Sequence, residues 1–173
     1  MQTSKRIAIF TLLVFASCFS VAQQRNSNDA GDKYRAVHWG FDEGLSSSGW
    51  VSSMIKDVNG FLWIGTGFGL NRFDGGIFKK YVADPTKKNK TIIGNVILGL
   101  KEDSLHNIWI GTDKGLSCYD IKADSFRNIY SSPPQSEIVP FWATKDEVFC
   151  WDVPEQQLAA YSVYSAKKRT LTK

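Results

Sequence analysis

The sequence predicts an all-β chain built from repeated four-stranded sheets that stack face to face. Three observations carry this. A pattern recurs 46 residues along the chain: residues 51–57 followed by 61–66 are echoed by 97–103 followed by 107–112. Turn-forming residues, among them Asn59-Gly60, Gly67-Phe68-Gly69 and Asp74-Gly75-Gly76, divide the first copy into lengths suited to short strands. The stretch 61–64 is apolar on both faces, with Phe61 and Trp63 pointing one way and Leu62 and Ile64 the other. A sheet with such a strand must be covered on both sides.

The repeat aligns without a gap from Val51 to Asp74. Asp57 matches Asp103, and Trp63 matches Trp109. Ile64-Gly65-Thr66 matches Ile110-Gly111-Thr112, Gly69-Leu70 matches Gly115-Leu116, and Asp74 matches Asp120. In the first copy, residues 51–56, 61–65, 70–73 and 78–82 are expected as strands. Asn59-Gly60 is expected to close the first hairpin with both residues at positive φ. In the second copy Leu105-His106 stands there, and His tolerates positive φ better than most residues. The Gly after Trp-Ile removes a side chain where two sheets approach closely. Asp57 and Asp103, recurring beside turns, are expected to serve turn hydrogen bonds rather than catalysis.

A four-stranded sheet repeated at this period and packed on its own copies is a propeller blade. The predicted fold is an all-β partial β-propeller of about three blades, near 51–82, 97–130 and a divergent unit at 137–165, within a segment spanning 34–173. In the third unit, residues 137–142, 148–152 and 158–164 are expected as strands, with Lys145-Asp146 as a turn. Residues 34–41 have strand character and would complete a last blade. Closed propellers carry about four to eight blades. The ring is therefore expected not to close with this chain alone, leaving apolar end faces for further blades of a longer chain or for a homodimer partner.

The 173 residues carry 21 Lys+Arg against 17 Asp+Glu, a net charge of +4, with 43% apolar and 13% aromatic content. Such a composition orders into a core. The weak positive balance excludes a strongly basic nucleic-acid surface. Residues 1–22 read as a signal peptide: Lys5 and Arg6 precede an apolar stretch at 7–19, and Ser20-Val21-Ala22 places small residues for cleavage between Ala22 and Gln23. An uncleaved anchor, or a lipobox around Cys18, are the rival readings. Residues 23–33 form a polar linker, and no membrane span is expected in the mature part. Of three Cys, Cys118 and Cys150 remain after cleavage. They would either pair or stay as two buried free thiols, the latter being the more usual arrangement.

The stretches Phe61-Leu-Trp-Ile-Gly-Thr66 with Gly69-Leu-Asn-Arg-Phe-Asp-Gly75, and Asn107-Ile-Trp-Ile-Gly-Thr112 with Gly115-Leu116, resemble the two-component regulator propeller repeat. Asp42-Glu43-Gly44-Leu45 and residues 139–152 resemble other parts of the same sensors. The resemblance implies the N-terminal part of a periplasmic sensor of a hybrid two-component regulator. It implies an oligosaccharide derived from a glycan as ligand, and a histidine kinase carried elsewhere than in this chain. It identifies Asp57, Trp63, Gly65, Thr66, Gly69, Asp103, Trp109, Gly111, Thr112 and Gly115 as structural blade residues. No catalytic, cofactor or metal residue is assigned, and no cofactor is expected. His38 and His106 lack a nucleophile and acid in a triad arrangement, and Asp42-Glu43 are poorly placed for glycoside hydrolysis. Trp39 and Trp50 are candidate sugar-stacking rings. Lys79, Lys80, Lys87, Lys88 and Lys90 are a solvated stretch or a contact for an anionic glycan. The alternatives are a secreted propeller hydrolase or lyase, or a truncated product without independent activity.

Overall fold

The computed structural model describes residues 36–47, 49–87, 90–131, 137–162, 164–165 and 167–171. The leader, the Ala22/Gln23 cleavage point and the linker lie outside them. The chain divides into two units after His38, and every strand among the described residues belongs to the one beginning at Trp39.

Among the described residues, twelve strands form three four-stranded antiparallel sheets, each in simple sequence order. The first sheet holds β1 (Val51–Lys56), β2 (Leu62–Thr66), β3 (Gly69–Phe73) and β4 (Phe78–Tyr81). The second holds β5 (Ile97–Glu102), β6 (Ile108–Thr112), β7 (Gly115–Asp120) and β8 (Ser125–Ser131). The third holds β9 (Ile138–Ala143), β10 (Glu147–Asp152), β11 (Gln157–Ser162) and β12 (Lys168–Thr170). The architecture is the all-β partial propeller read from the sequence, and the three sheets do not close a ring.

The register shows why the repeat has its composition. In the first two sheets the pairs Ser53–Gly65 and Gly99–Gly111 follow a bulge at the start of the first strand. A Cβ on Gly65 would come within 2.5 Å of the Ile97 side chain. On Gly111 it would lie 2.0 Å from the Ile138 carbonyl oxygen and 2.3 Å from Pro140 Cδ. Each glycine is thus the hole into which the first strand of the next sheet settles. Beside it, Trp63 and Trp109 are fully buried. Trp63 packs with Leu70, Ile97, Leu100, Ile110 and Tyr119 between the first and second sheets. Trp109 packs with Leu116, Cys118, Ile138, Val148, Cys150 and Tyr161 between the second and third. Burying such a ring contributes about 3–5 kcal/mol relative to alanine.

Tyrosines mark the same interfaces. The rings of Tyr81 and Tyr119 lie 5.9 Å apart across the first interface, and those of Tyr130 and Tyr161 lie 5.0 Å apart across the second. At the first interface Arg72 sits over the rings of Phe61 and Trp63 and donates to Tyr119 Oη at 3.1 Å. Tyr119 in turn donates to Asp124 Oδ1.

Two expectations on strands are corrected. Residues 36–40 carry no strand, and 41–44 form a turn in which Gly44 N–H reaches the Phe41 carbonyl. Gly44 at φ +106° and the bond from Gly40 N–H to Glu43 Oε2 bend the chain away from an extended path. Trp39 instead lays its ring on Phe73, 4.8 Å between centroids. The third sheet also has a fourth strand where none was expected, at Lys168–Thr170, beyond the 137–165 unit. Its polar residues gave no apolar signal. It is held by ladder pairing to Ala159–Tyr161 and by the ion pair of Arg169 with Glu147.

The first hairpin turn differs as well. Gly60 adopts φ +88°, but Asn59 is not at positive φ. A turn from Asp57 C=O to Gly60 N–H is followed by a single left-handed residue, so only one permissive position is required. In the second sheet His106 fills that place at φ +69°.

Candidate ligand-binding site

The repeated residues are engaged within their own sheets. Asp57 Oδ1 accepts from the Asn59 and Phe61 amides, and its Oδ2 accepts from Trp63 Nε1 at 2.7 Å. Asp103 does the same with Leu105, Asn107 and Trp109 Nε1, and adds Asn107 Nδ2 at 3.0 Å. One carboxylate thus closes a turn and satisfies an indole N–H that burial would otherwise leave without a partner. Thr66 and Thr112 donate to the carbonyls of Gly69 and Gly115 and accept from the amides of Phe68 and Lys114. Gly69 and Gly115 sit at φ +126° and +133°, which fixes the residue type there. These groups hold the fold.

At one end, the entries to the first strands lie beside the turns between second and third strands. In the second sheet this end carries a cavity of about 680 Å³, lined by the 83–95 connection together with Lys114 and Asn128. That volume lies within the range of small-molecule sites, about 300–1,000 Å³. Buried Ile92 and half-buried Ile93 give apolar surface. Asp84, Lys87, Thr91, Asn95, Lys114 and Asn128 give the polar groups. The connection is braced from within. Ala83 N–H donates to Asn95 Oδ1, Asp84 N–H to Thr91 Oγ1, and Ile93 N–H to Ser117 Oγ, which donates to Asn128 Oδ1. Bonds from Thr86 and from Lys87 hold the Asp84 carboxyl below its ordinary pKa. With both lysines charged and Asp84 ionised, the lining carries one net positive charge.

The first sheet presents Trp50 and Phe68 at the matching end, 49% and 70% exposed. Trp50 packs its ring edge against Gly67, where an added Cβ would lie 2.9 Å from it. Trp39, 43% exposed, is committed to Phe73 and Phe78.

The other sequence candidates fall as follows. His38 is exposed in irregular chain, and His106 Nδ1 lies 2.9 Å from Glu102 Oε1 on an exposed turn. Asp42 and Glu43 lie in the 41–44 turn, not on a strand. Lys79 pairs with Asp124, Lys80 lies over Phe41, and Lys87 pairs with Asp84. Lys88 lies outside the described residues. Cys118 and Cys150 are free and fully buried. Burial pushes the Cys118 thiol up to about 12 and moves Cys150 in the same direction, which keeps both protonated and inert. Lys114, Asn95 and Asn128 were not singled out in the sequence. Their signal was the unusually long connection between the first two sheets, a feature that often accompanies function.

Residues 44–68 and 91–114 match the two-component regulator propeller family. The matched residues take in the lead-in and the first two strands of each of the two regular sheets. The matches start ahead of β1 and β5, so each repeat includes the segment leading into its sheet. In those segments Leu45 and Ile92 are both buried, and the following amides are capped from the third strand, Ser46 by Asn71 and Ile93 by Ser117.

The chain is 33% identical over 81 residues to histidine kinase P4 of Formosa agariphila, covering 47% of this chain and 6% of the kinase. Its fold is similar to the extracellular domain of a hybrid two-component system from B. thetaiotaomicron, with TM-score 0.52, 19% identity, and coverage of 79% of this chain and 26% of that one. It is also similar to the extracellular domain of a one-component system from the same organism, with TM-score 0.61, 17% identity, and coverage of 76% and 17%. The chain thus spans about a quarter or less of the length of each protein it matches. Among the described residues no helix is long and apolar enough to cross a membrane.

Proposed function

We propose that this chain is the opening part of the exported sensor region of a hybrid two-component regulator. Its part is that of a binding module, and the cavity beside the 83–95 connection takes an oligosaccharide released from a glycan. The observation that carries this is the cavity itself. It stands at the strand ends of a propeller repeat, with donors from Lys114 and Lys87, amides from Asn95 and Asn128, and apolar surface from Ile92 and Ile93. Hydroxyl-rich rings offer acceptors to such donors and apolar faces to such floors. The match to sensor repeats and the extracellular placement of the similar solved domains support the reading. Export would use residues 1–22, leaving Gln23 at the N-terminus of the periplasmic product.

The test is calorimetric titration of the full chain with a panel of neutral and acidic oligosaccharides. Binding by at least one member, weakened about tenfold or more by Lys114→Ala or Asn128→Ala, is expected. A panel without a binder, or binding that both variants leave unchanged, would overturn the assignment to this cavity.

A further inference from the structure

The two junctions between sheets are built from corresponding positions, and one corner of them is filled differently. Tyr119 pairs with Ile108 at the start of β6, and Tyr161 pairs with Val148 near the start of β10. The two tyrosines therefore correspond, and Phe149 falls at the place of Trp109. On the sheet ahead of each tyrosine, Arg72 pairs with Lys79 in the first sheet and Cys118 with Arg127 in the second. The repeat sets Phe61 against Asn107 and Arg72 against Cys118.

The first corner is closed by large and charged groups. Arg72 covers the rings of Phe61 and Trp63 and donates to Tyr119 Oη. The turn between β7 and β8 brings Asp124 to Tyr119 and, at 3.7 Å, to Lys79 Nζ. Cations of one sheet are thus answered by a carboxylate of the next.

At the second corner these groups are replaced. Asn107 stands for Phe61 and Cys118 for Arg72, while residues 163–167, between β11 and β12, include no acid. Here lies a cavity of about 350 Å³, at the opposite end of the second sheet from the 83–95 connection. It is lined by Leu105, Asn107, Asp120, Lys122, Arg127 and Tyr164. Arg127 and Lys122 bring two positive charges and Asp120 one negative. Asp120 Oδ1 accepts from the amides of Lys122 and Ala123 in its own turn. Arg127 lies beside the Cys118 thiol. Asn107 is buried and held by its bond to Asp103 Oδ2 at 3.0 Å. Exposed Leu105 and Tyr164 add apolar surface from two different sheets.

We propose that this cavity is a second binding site, for a small carboxylate carried on a single ring, whose carboxylate does at the second corner what Asp124 does at the first. The volume is at the small end of ligand sites, about 300–1,000 Å³, which suits one ring rather than a chain of them. A guanidinium holds a carboxylate through two parallel bonds, and the Tyr164 ring offers its face to the ligand's ring. A sugar acid and an aromatic acid share this chemistry. The site does not rest on the oligosaccharide reading of the other cavity.

The experiment is calorimetric titration of the full chain with glucuronate, with benzoate, and with glucose as the neutral twin of the first. At least one of the two acids is expected to bind and glucose not to. Binding of glucuronate alone identifies a sugar acid, and binding of benzoate a ring acid more generally. Arg127→Gln is expected to weaken binding about tenfold or more, and Tyr164→Ala about threefold. Tyr164→Asp, which gives the 163–167 stretch a carboxylate of its own, is expected to abolish it. These side chains are exposed, so the variants leave the core intact. Lys114→Ala, in the other cavity, is expected to change nothing here. The proposal is overturned if neither acid binds, or if glucose binds as well as glucuronate. It is equally overturned if Arg127→Gln and Tyr164→Asp leave binding unchanged, or if Lys114→Ala is the variant that removes it.

Discussion

The second and third sheets follow the same path and bury the same backward face, yet their compositions have diverged. All five residues of β6 are buried, while β10 alternates buried positions with half-buried and exposed ones. Where the second sheet has Asp103 at its first turn, the third has Thr144, whose hydroxyl accepts from the amides of Asp146 and Glu147 across a shorter loop. Where the second has Thr112, the third has buried Asp152, paired with Lys168 at 2.6 Å. Burial alone would lower the Lys168 pKa, but its bonds to Asp152 and Glu155 outweigh this and raise it. The comparison teaches that the Asp–Trp tie goes with a tryptophan buried beneath the following sheet. A buried indole needs an acceptor, whereas half-buried Phe149 has no N–H to satisfy, so nothing at the turn must supply one.

The largest expected difference comes from the rings. Trp109→Ala should destabilise the chain by about 3–5 kcal/mol in denaturant unfolding, and Phe149→Ala by clearly less. Equal losses would break the contrast between covered and open faces. Next, Asp103→Ala removes a charged acceptor with four bonds and should cost about 1.5–3 kcal/mol, whereas Thr144→Ala should cost about 1 kcal/mol. Gly111→Ala forces a methyl onto the Ile138 backbone and should cost about 1–3 kcal/mol, while Trp151→Ala should leave the midpoint nearly unmoved.

The buried thiols sharpen the interface shared by these two sheets. Cys118 has its folded pKa raised from 9.0 to about 12. The stability linked to its proton is complete below about pH 9, where the unfolded thiol is also protonated. It is lost as pH rises toward 12, because only the unfolded state then releases the proton. Unfolding free energy should therefore decline between pH 9 and 11, and Cys118→Ala should flatten that decline. The smallest effect is at a turn. His106→Gly relieves a left-handed backbone and should stabilise by about 0.5–1 kcal/mol, and Gln156→Gly, at φ +48°, should act in the same direction.

The regular sheets were legible because their signals are local: rare tryptophans at fixed spacing, Gly-rich turns, and strands apolar on both faces. The turn at His106 was readable for the same reason. What escaped was set by tertiary partners. The 36–41 segment has a strand-like composition, but its Trp39 finds Phe73 and Phe78 and the chain turns at Gly44. β12 is polar and exists through pairing with β11. The cavity joins the 83–95 connection to Lys114 and Asn128, which lie apart in sequence, so the length of that connection was the one local sign of it.

The carboxylate tie has a consequence for how such proteins grow. Asp57 reaches its own Trp63 and Asp103 its own Trp109, six residues on in each case, so the most demanding buried polar group of a repeat is satisfied before any neighbour arrives. What recurs at both junctions between sheets is shape: a glycine hollow and the part of the next first strand that fills it. A tandem duplication of the coding segment would therefore deliver a copy whose polar needs are already met. Selection would then have to adjust only one or two contact positions for the lengthened array to pack.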